Sequence, residues 1–178
     1  DRYIVALVVS VAAVASYTLS TELSTKLWLI SGAVMSAVNP GIARNYFSKV
    51  KNGQSMIRLE KWIVYFSILL PTTLFILNSQ MLVELWLKDS LAGDVGYMAA
   101  ILMVGISVNS LSQLNFSLLQ LAGHEKIGAY LQIYGLIGLV AMASILGFTY
   151  GVIGVACAFS IRLVLDAIAV SYLVSLEK

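Results

Sequence analysis

Apolar residues run along this chain in long stretches, without the two-residue alternation of a half-buried strand. A helix needs roughly 20 apolar residues to cross a bilayer, and several stretches reach that length. The pattern predicts spans at about 12–38, 61–78, 95–121, 127–148 and 152–174. Residues 3–9 are too few to cross at about 1.5 Å per residue, and read as the end of one more helix. Polar and helix-breaking residues mark the joints. Asn39, Pro40 and Gly41 end or kink the first span, and Pro71 predicts a kink in the second. Residues 80–94 set Leu82, Val83, Leu85, Trp86 and Leu87 beside Glu84, Lys88 and Asp89. That mixture suits a short amphipathic piece at the membrane interface, with Trp86 at headgroup level. Gly123, His124, Glu125 and Lys126 form a turn, and residues 147–151 form another. The predicted fold class is all-α, a polytopic transmembrane helix bundle in one unit over residues 1–178.

Composition sharpens this picture. Of 178 residues, 60% are hydrophobic and 11% charged, against about 25% charged in soluble domains. The deficit is spread along the chain, which excludes a soluble domain on a single anchor. A net charge of +2 gives no case for nucleic acid. One cysteine (Cys157) and one histidine (His124) exclude an internal disulfide and argue against a structural zinc site. No nucleophile elbow, zinc-protease helix or phosphate-cradling glycine loop is present, so the chain does not read as an enzyme and implies no cofactor. It begins at Asp1 without methionine and runs straight into apolar sequence, which reads as a fragment of a longer protein.

The charged loops give an orientation. Arg44, Lys49, Lys51, Arg58 and Lys61 face only Glu60 between residues 42 and 61. The 80–94 stretch holds one lysine against three acids. The positive-inside rule then makes loop 42–60 cytoplasmic and 80–94 external, and alternation brings the C-terminus inside.

Charges within apolar spans are the candidates for chemistry, since each costs a few kcal/mol at mid-bilayer and turns toward protein or water. Arg162 and Asp166 lie four apart, on one helix face. They are either a self-neutralising structural pair, or an anion-binding arginine oriented by an acid. Glu22 and Lys26 repeat the spacing and the ambiguity. Asp1 and Arg2 are adjacent, about 100° apart on a helix, so they do not share a face as an i, i+4 pair does. Arg2 is read as ligand-facing, or else as paired with another helix. In the 95–121 span, Ser107, Asn109, Ser110, Ser112, Gln113, Asn115, Ser117 and Gln120 form a polar stripe. It is either interhelical glue or a cavity lining suited to sugar hydroxyls.

The order of short motifs adds a resemblance. Asp1-Arg2-Tyr3-Ile4-Val5 precedes Ala12-Ala13-Val14-Ala15-Ser16-Tyr17, and the next helix carries Leu27-Trp28-Leu29-Ile30-Ser31-Gly32-Ala33 and closes at Asn39-Pro40. Later come Leu82-Val83-Glu84-Leu85-Trp86-Leu87, Asn109-Ser110-Leu111-Ser112-Gln113, Leu118-Leu119-Gln120-Leu121-Ala122-Gly123-His124, Tyr150-Gly151-Val152-Ile153-Gly154-Val155-Ala156 and Arg162-Leu163-Val164-Leu165-Asp166. The whole resembles the second lobe of the multidrug/oligosaccharidyl-lipid/polysaccharide exporter superfamily, in particular its Wzx-type O-antigen flippases. The resemblance implies the C-terminal lobe of a twelve-helix, two-lobe transporter in the bacterial inner membrane, working by alternating access. The implied substrate is a polyprenyl-diphosphate-linked oligosaccharide, made for surface polysaccharide such as the O-antigen of lipopolysaccharide. Arg2, Lys26 and Arg162 become the cationic substrate contacts, Asn109 and Gln113 the glycan contacts, and Asp1, Glu22 and Asp166 the ion-coupling candidates. Implied partners are the lipid bilayer, the missing N-terminal lobe, a polysaccharide polymerase and a chain-length regulator. Two rivals stand beside it: a multidrug exporter of the same superfamily, and a membrane scaffold subunit that transports nothing.

Overall fold

A computed structural model describes Val5 and residues 11–48, 53–87 and 92–176. The described chain is all-helical, in four elements. These are α1 (Val11–Ser48), α2 (Gly53–Leu87), α3 (Ala92–Leu121) and α4 (Glu125–Leu176). Three stretches are long and apolar enough to cross a membrane: Trp62–Leu87, Gly93–Leu121 and Lys126–Leu176. α1 has the length, with 38 residues, but its serines, threonines, Glu22 and Lys26 keep it out of that set. The protein is a multi-pass membrane protein built as a helix bundle.

α3 is the axis of the bundle. In its most apolar window 61% is buried, against 17% for α2 and for α4. Val95, Leu102, Met103, Ile106 and Leu114 are all buried, and together they reach four parts of the core, Met103 and Ile106 sharing one. Near one end, Tyr17 of α1 is fully buried among Leu102, Leu139, Ala143, Val155 and Ala156. Midway, Leu27, Met103, Ile106 and Leu163 meet. Toward the other end, Met35, Val64, Ile68 and Leu114 close the contact of α1 and α2 with α3. Exposed Trp62, Phe66, Leu69, Leu70, Leu74 and Leu77 on α2 give it a lipid-type outer face.

The serines of α1 are packing residues. Ser20 and Ser24 are fully buried and one helical turn apart. Ser20 Oγ reaches the Val95 carbonyl at 3.2 Å and Ser24 Oγ the Ala99 carbonyl at 3.1 Å. Each also lies within reach of a carbonyl in its own helix, at 2.8 and 2.7 Å. Small hydroxyls let the two backbones approach and keep each O–H satisfied without water.

One joint falls elsewhere than the sequence predicts: α1 does not end at Asn39, Pro40 and Gly41 but runs helical through Pro40 to Ser48. The break in α2 falls at the end of the predicted 61–78 span, at Asn78, with φ −122° and ψ 17°. Asn78 Nδ2 there donates to the Leu74 carbonyl at 3.0 Å, offering the backbone a local partner. Residues 79–87 continue as helix, with Leu82, Leu85 and Trp86 exposed and Val83 buried.

The turn after α3 is a Schellman cap. His124 N donates to the Leu119 carbonyl and Gly123 N to Gln120, with Gly123 at φ +88°. α4 is a hairpin rather than a rod: its 52 residues would reach about 78 Å if straight, far beyond a bilayer. The reversal is at Gly151, with φ +64° and ψ −142°, a conformation open essentially to glycine. Past it, Gly154 lies against the Leu146 backbone with no room for a Cβ. The two arms, 125–150 and 152–176, run antiparallel, bringing Gln132 and Gly135 beside Arg162 and Asp166.

Candidate functional site

The polar half of α3 divides by face. Ser107 and Ser110 are buried in the bundle, and Ser107 Oγ donates to its own helix at Val104, 2.9 Å away. Asn115 donates to Ser171 Oγ of the second α4 arm at 3.1 Å. Asn109, Ser112, Gln113 and Phe116, spaced three, four and seven, share another face and line a cavity of about 330 Å³. Met35 and Asn39 of α1, Ser117 of α3, and Gln132, Asp166 and Val170 of the two α4 arms complete its wall. The stripe therefore supplies both glue and a cavity lining. By helical rise, Gln132 is about 10 Å from the start of α4 and Asp166 about 15 Å from its end. The cavity therefore lies nearer the Gly123 turn than the Gly151 turn.

Arg162 organises this cavity. Its Nη2 donates to Gln132 Oε1 at 2.9 Å, tying the two arms of α4 together. Its Nε stands 3.3 Å from Asp166 Oδ2, with side-chain exposures of 17% and 13%. That contact is an ion pair without hydrogen-bond alignment, since both atoms are buried and unsatisfied. Asn39 Oδ1, on the same wall, is also buried without a partner. Gly135 makes the arrangement possible: a Cβ there would sit 3.0 Å from Asp166 Oδ1 and 3.2 Å from Arg162 Nε. Phe116 is held in a similar way, with its ring edge over Gly128 where a Cβ would fall 2.8 Å away.

Chemically, this is a concave polar site in an apolar bundle. Its wall offers one carboxylate, with amides and hydroxyls that both donate and accept, and the Arg162 guanidinium is bonded or paired to two of its lining residues. Among the described residues Gln132 is the only hydrogen-bond acceptor of Arg162, and Asp166 accepts no hydrogen bond. A pair neutralised in charge but unsaturated in hydrogen bonding retains capacity for a ligand.

The structure brings Asp166, Asn109 and Gln113 to one cavity, and places Arg162 outside its lining, held to it through Gln132 and Asp166. It places Glu22 and Lys26 elsewhere, both exposed on the outer side of α1 and outside the cavity lining. No ion pair within 4.0 Å joins them among the described residues. Asp1 and Arg2 lie outside the described residues. Gln132, Asn39 and Gly135 were not anticipated. Gln132 carries a signal in hindsight, since it is the one amide side chain in the 127–148 stretch and must find a partner.

No protein-family model matches the chain, and no solved structure matches it. It is similar to a protein of Shigella flexneri named "Putative O-antigen transporter", with 27% identity over 175 residues. That alignment covers 97% of this chain and 41% of the relative, so the chain spans about two-fifths of the relative's length.

Proposed function

We propose that this chain is the C-terminal lobe of a two-lobe, twelve-helix flippase. It carries a polyprenyl-diphosphate-linked oligosaccharide across the bacterial inner membrane by alternating access. The observation that carries the reading is the polar cavity whose lining residues Gln132 and Asp166 hold Arg162. A guanidinium held only by Gln132 and a misaligned carboxylate suits a diphosphate, whose oxygens accept paired N–H donors. Asn109, Gln113, Asn39 and Ser117 suit the hydroxyls of the sugar next to it. The similarity to the Shigella flexneri protein supports the same substrate class. In this reading the 122–124 turn, residues 42–60 (the end of α1 and the start of α2) and the C-terminus are cytoplasmic, so the cavity lies nearer the side where lipid-linked sugars are assembled. Arg2 and Lys26 add cationic contacts toward the missing lobe, and Asp1, Glu22 and Asp166 are the coupling acids. A polymerase and a chain-length regulator act downstream.

The test is export of surface glycan by cells in which the full-length protein carries Arg162→Gln or Arg162→Lys. Glutamine removes the charge and keeps an amide donor on a shorter side chain. Export falls by about tenfold or more with normal membrane abundance, the scale of one lost charge-assisted contact of roughly 1.4 kcal/mol or more. Lysine, without the bidentate fork, restores it only in part. Unchanged export by Arg162→Gln would show a merely structural pair and favour the scaffold reading.

A further inference from the structure

A second compartment lies on the other side of Ser112. A groove of about 500 Å³ runs between α2, α3 and the second arm of α4, lined mainly by Tyr65, Val108, Leu111, Ala167, Ile168 and Tyr172. Its lining is mostly apolar, and Ile168 and Tyr172 are exposed toward the lipid side. Ser112 belongs to the walls of both the groove and the polar cavity. On α4 the two compartments take neighbouring residues, Asp166 and Val170 for the cavity, Ala167 and Ser171 for the groove.

The α3–α4 seam explains how they meet. It is tightest at Gly105, where a Cβ would come within 2.6 Å of Ser160 Cα. Ser160 Oγ also donates there to the Ile101 carbonyl at 2.9 Å. From Ser112 onward the seam holds a compartment on each side. The hydrogen bond that spans it is Asn115 to Ser171, at 3.1 Å between exposed groups. Two polar side chains on an apolar groove, bonded mainly to each other, make a weak closure rather than a packed wall.

We propose that this groove holds the head-proximal part of the substrate's apolar tail while the anionic head lies in the cavity, the two meeting at Ser112. The proposal rests on the cavity reading given above and adds where the lipid goes. A ligand with a polar, charged head and a long apolar tail matches the pair of compartments, which place a polar cavity beside the Arg162–Asp166 pair and a mostly apolar groove on either side of Ser112. Opening the Asn115–Ser171 contact gives the head a lateral path, so the tail never leaves lipid.

The experiment measures binding of farnesyl diphosphate and of inorganic diphosphate to the full-length protein. The protein sits in nanodiscs of phosphatidylethanolamine and phosphatidylglycerol, read by intrinsic fluorescence. Farnesyl diphosphate is expected to bind about tenfold tighter or more, equivalent to roughly 1.4 kcal/mol. Ile168→Trp fills the groove from its exposed side, and Val108→Phe fills it from α3. Each is expected to abolish the preference for the tail while leaving inorganic diphosphate binding unchanged. Equal binding of the two probes by the unsubstituted protein overturns the proposal, since bulk phospholipid then serves the groove equally well. A preference that survives both substitutions also overturns it. Failure of inorganic diphosphate to bind, or binding unaffected by Arg162→Gln, instead overturns the cavity reading, and this proposal with it.

Discussion

Gly105→Ala tests the seam on which the site is hung. The added Cβ would lie 2.6 Å from Ser160 Cα, 2.8 Å from its Cβ and 3.0 Å from its Oγ. Carbon atoms in contact stand about 3.5–4.0 Å apart, so α3 and the second α4 arm must separate by roughly 1 Å. That carries the 2.9 Å Ser160–Ile101 hydrogen bond to about 3.9 Å, beyond bonding range. Overpacking costs about 1–3 kcal/mol, and an interhelical hydrogen bond in a membrane about 0.6 kcal/mol on average. The expected loss is therefore roughly 2–4 kcal/mol. The assay is reversible unfolding of the full-length protein in mixed micelles, titrated with dodecyl sulfate and followed by tryptophan fluorescence. Gly32→Ala is the control, since a Cβ there meets nothing within 4 Å. It should be neutral or stabilise by up to about 1 kcal/mol through helix propensity. Adding Ser160→Gly to Gly105→Ala should restore only part of the loss, because the nearest atom is Ser160 Cα. A loss under about 0.5 kcal/mol for Gly105→Ala would refute the close seam.

Two further outcomes follow from the cavity. Gly135→Ala puts a methyl group 3.0 Å from Asp166 Oδ1, so the ion pair must shift toward the cavity. Glycan export is expected to fall several-fold, while stability in the same unfolding assay changes by less than about 1 kcal/mol, because the displaced atoms are the ends of flexible side chains. Cysteines at Asn109 and Gln113 should react with a membrane-impermeant thiol reagent applied from the cytoplasmic side. One at the fully buried Leu114 should not, and complete protection at both cavity positions would contradict a water-accessible lining.

The helices were legible because the apolar runs have no other way to satisfy their backbone in lipid. The i, i+4 spacing of Arg162 and Asp166 and the periodicity of Asn109 and Gln113 were legible for the same local reason. What the sequence hid was non-local. Nothing in the 95–121 stretch distinguishes Ser110, buried in the bundle, from Ser112, which lines the cavity, because the difference is set by which neighbour each face meets. Gln132 enters the site only because Gly151 folds α4 back by the right register. Pro40 does not end α1, because a proline removes one N–H, and a long helix packed on α3 accommodates that loss without stopping.

The outer side of α1 carries the argument one step further. On α2 and α4 the exposed residues are mainly large and apolar, as lipid requires. On α1 the exposed side chains include Glu22, Lys26, Ser36 and Arg44, with Ala33 and Ala37 between them. Two charges facing hydrocarbon would cost about 2.5–3.5 kcal/mol each on insertion scales. They gain nothing from each other, since no ion pair joins them among the described residues. Leu29 and Ile30 are exposed among them, so this side mixes apolar and charged groups, and its small residues suit the close approach of another helix or water. In the proposed transporter this is the side turned to the cleft and to the remaining lobe. Lys26 and Glu22 then act on the substrate, if they act, from across that cleft rather than from within the Arg162 cavity. Of the cationic groups named from sequence, Arg162 is thus half-buried between the arms of α4 and Lys26 is exposed on α1, while Arg2 lies outside the described residues; in the proposed transporter the first belongs to the lobe's own wall and the second to the face between lobes.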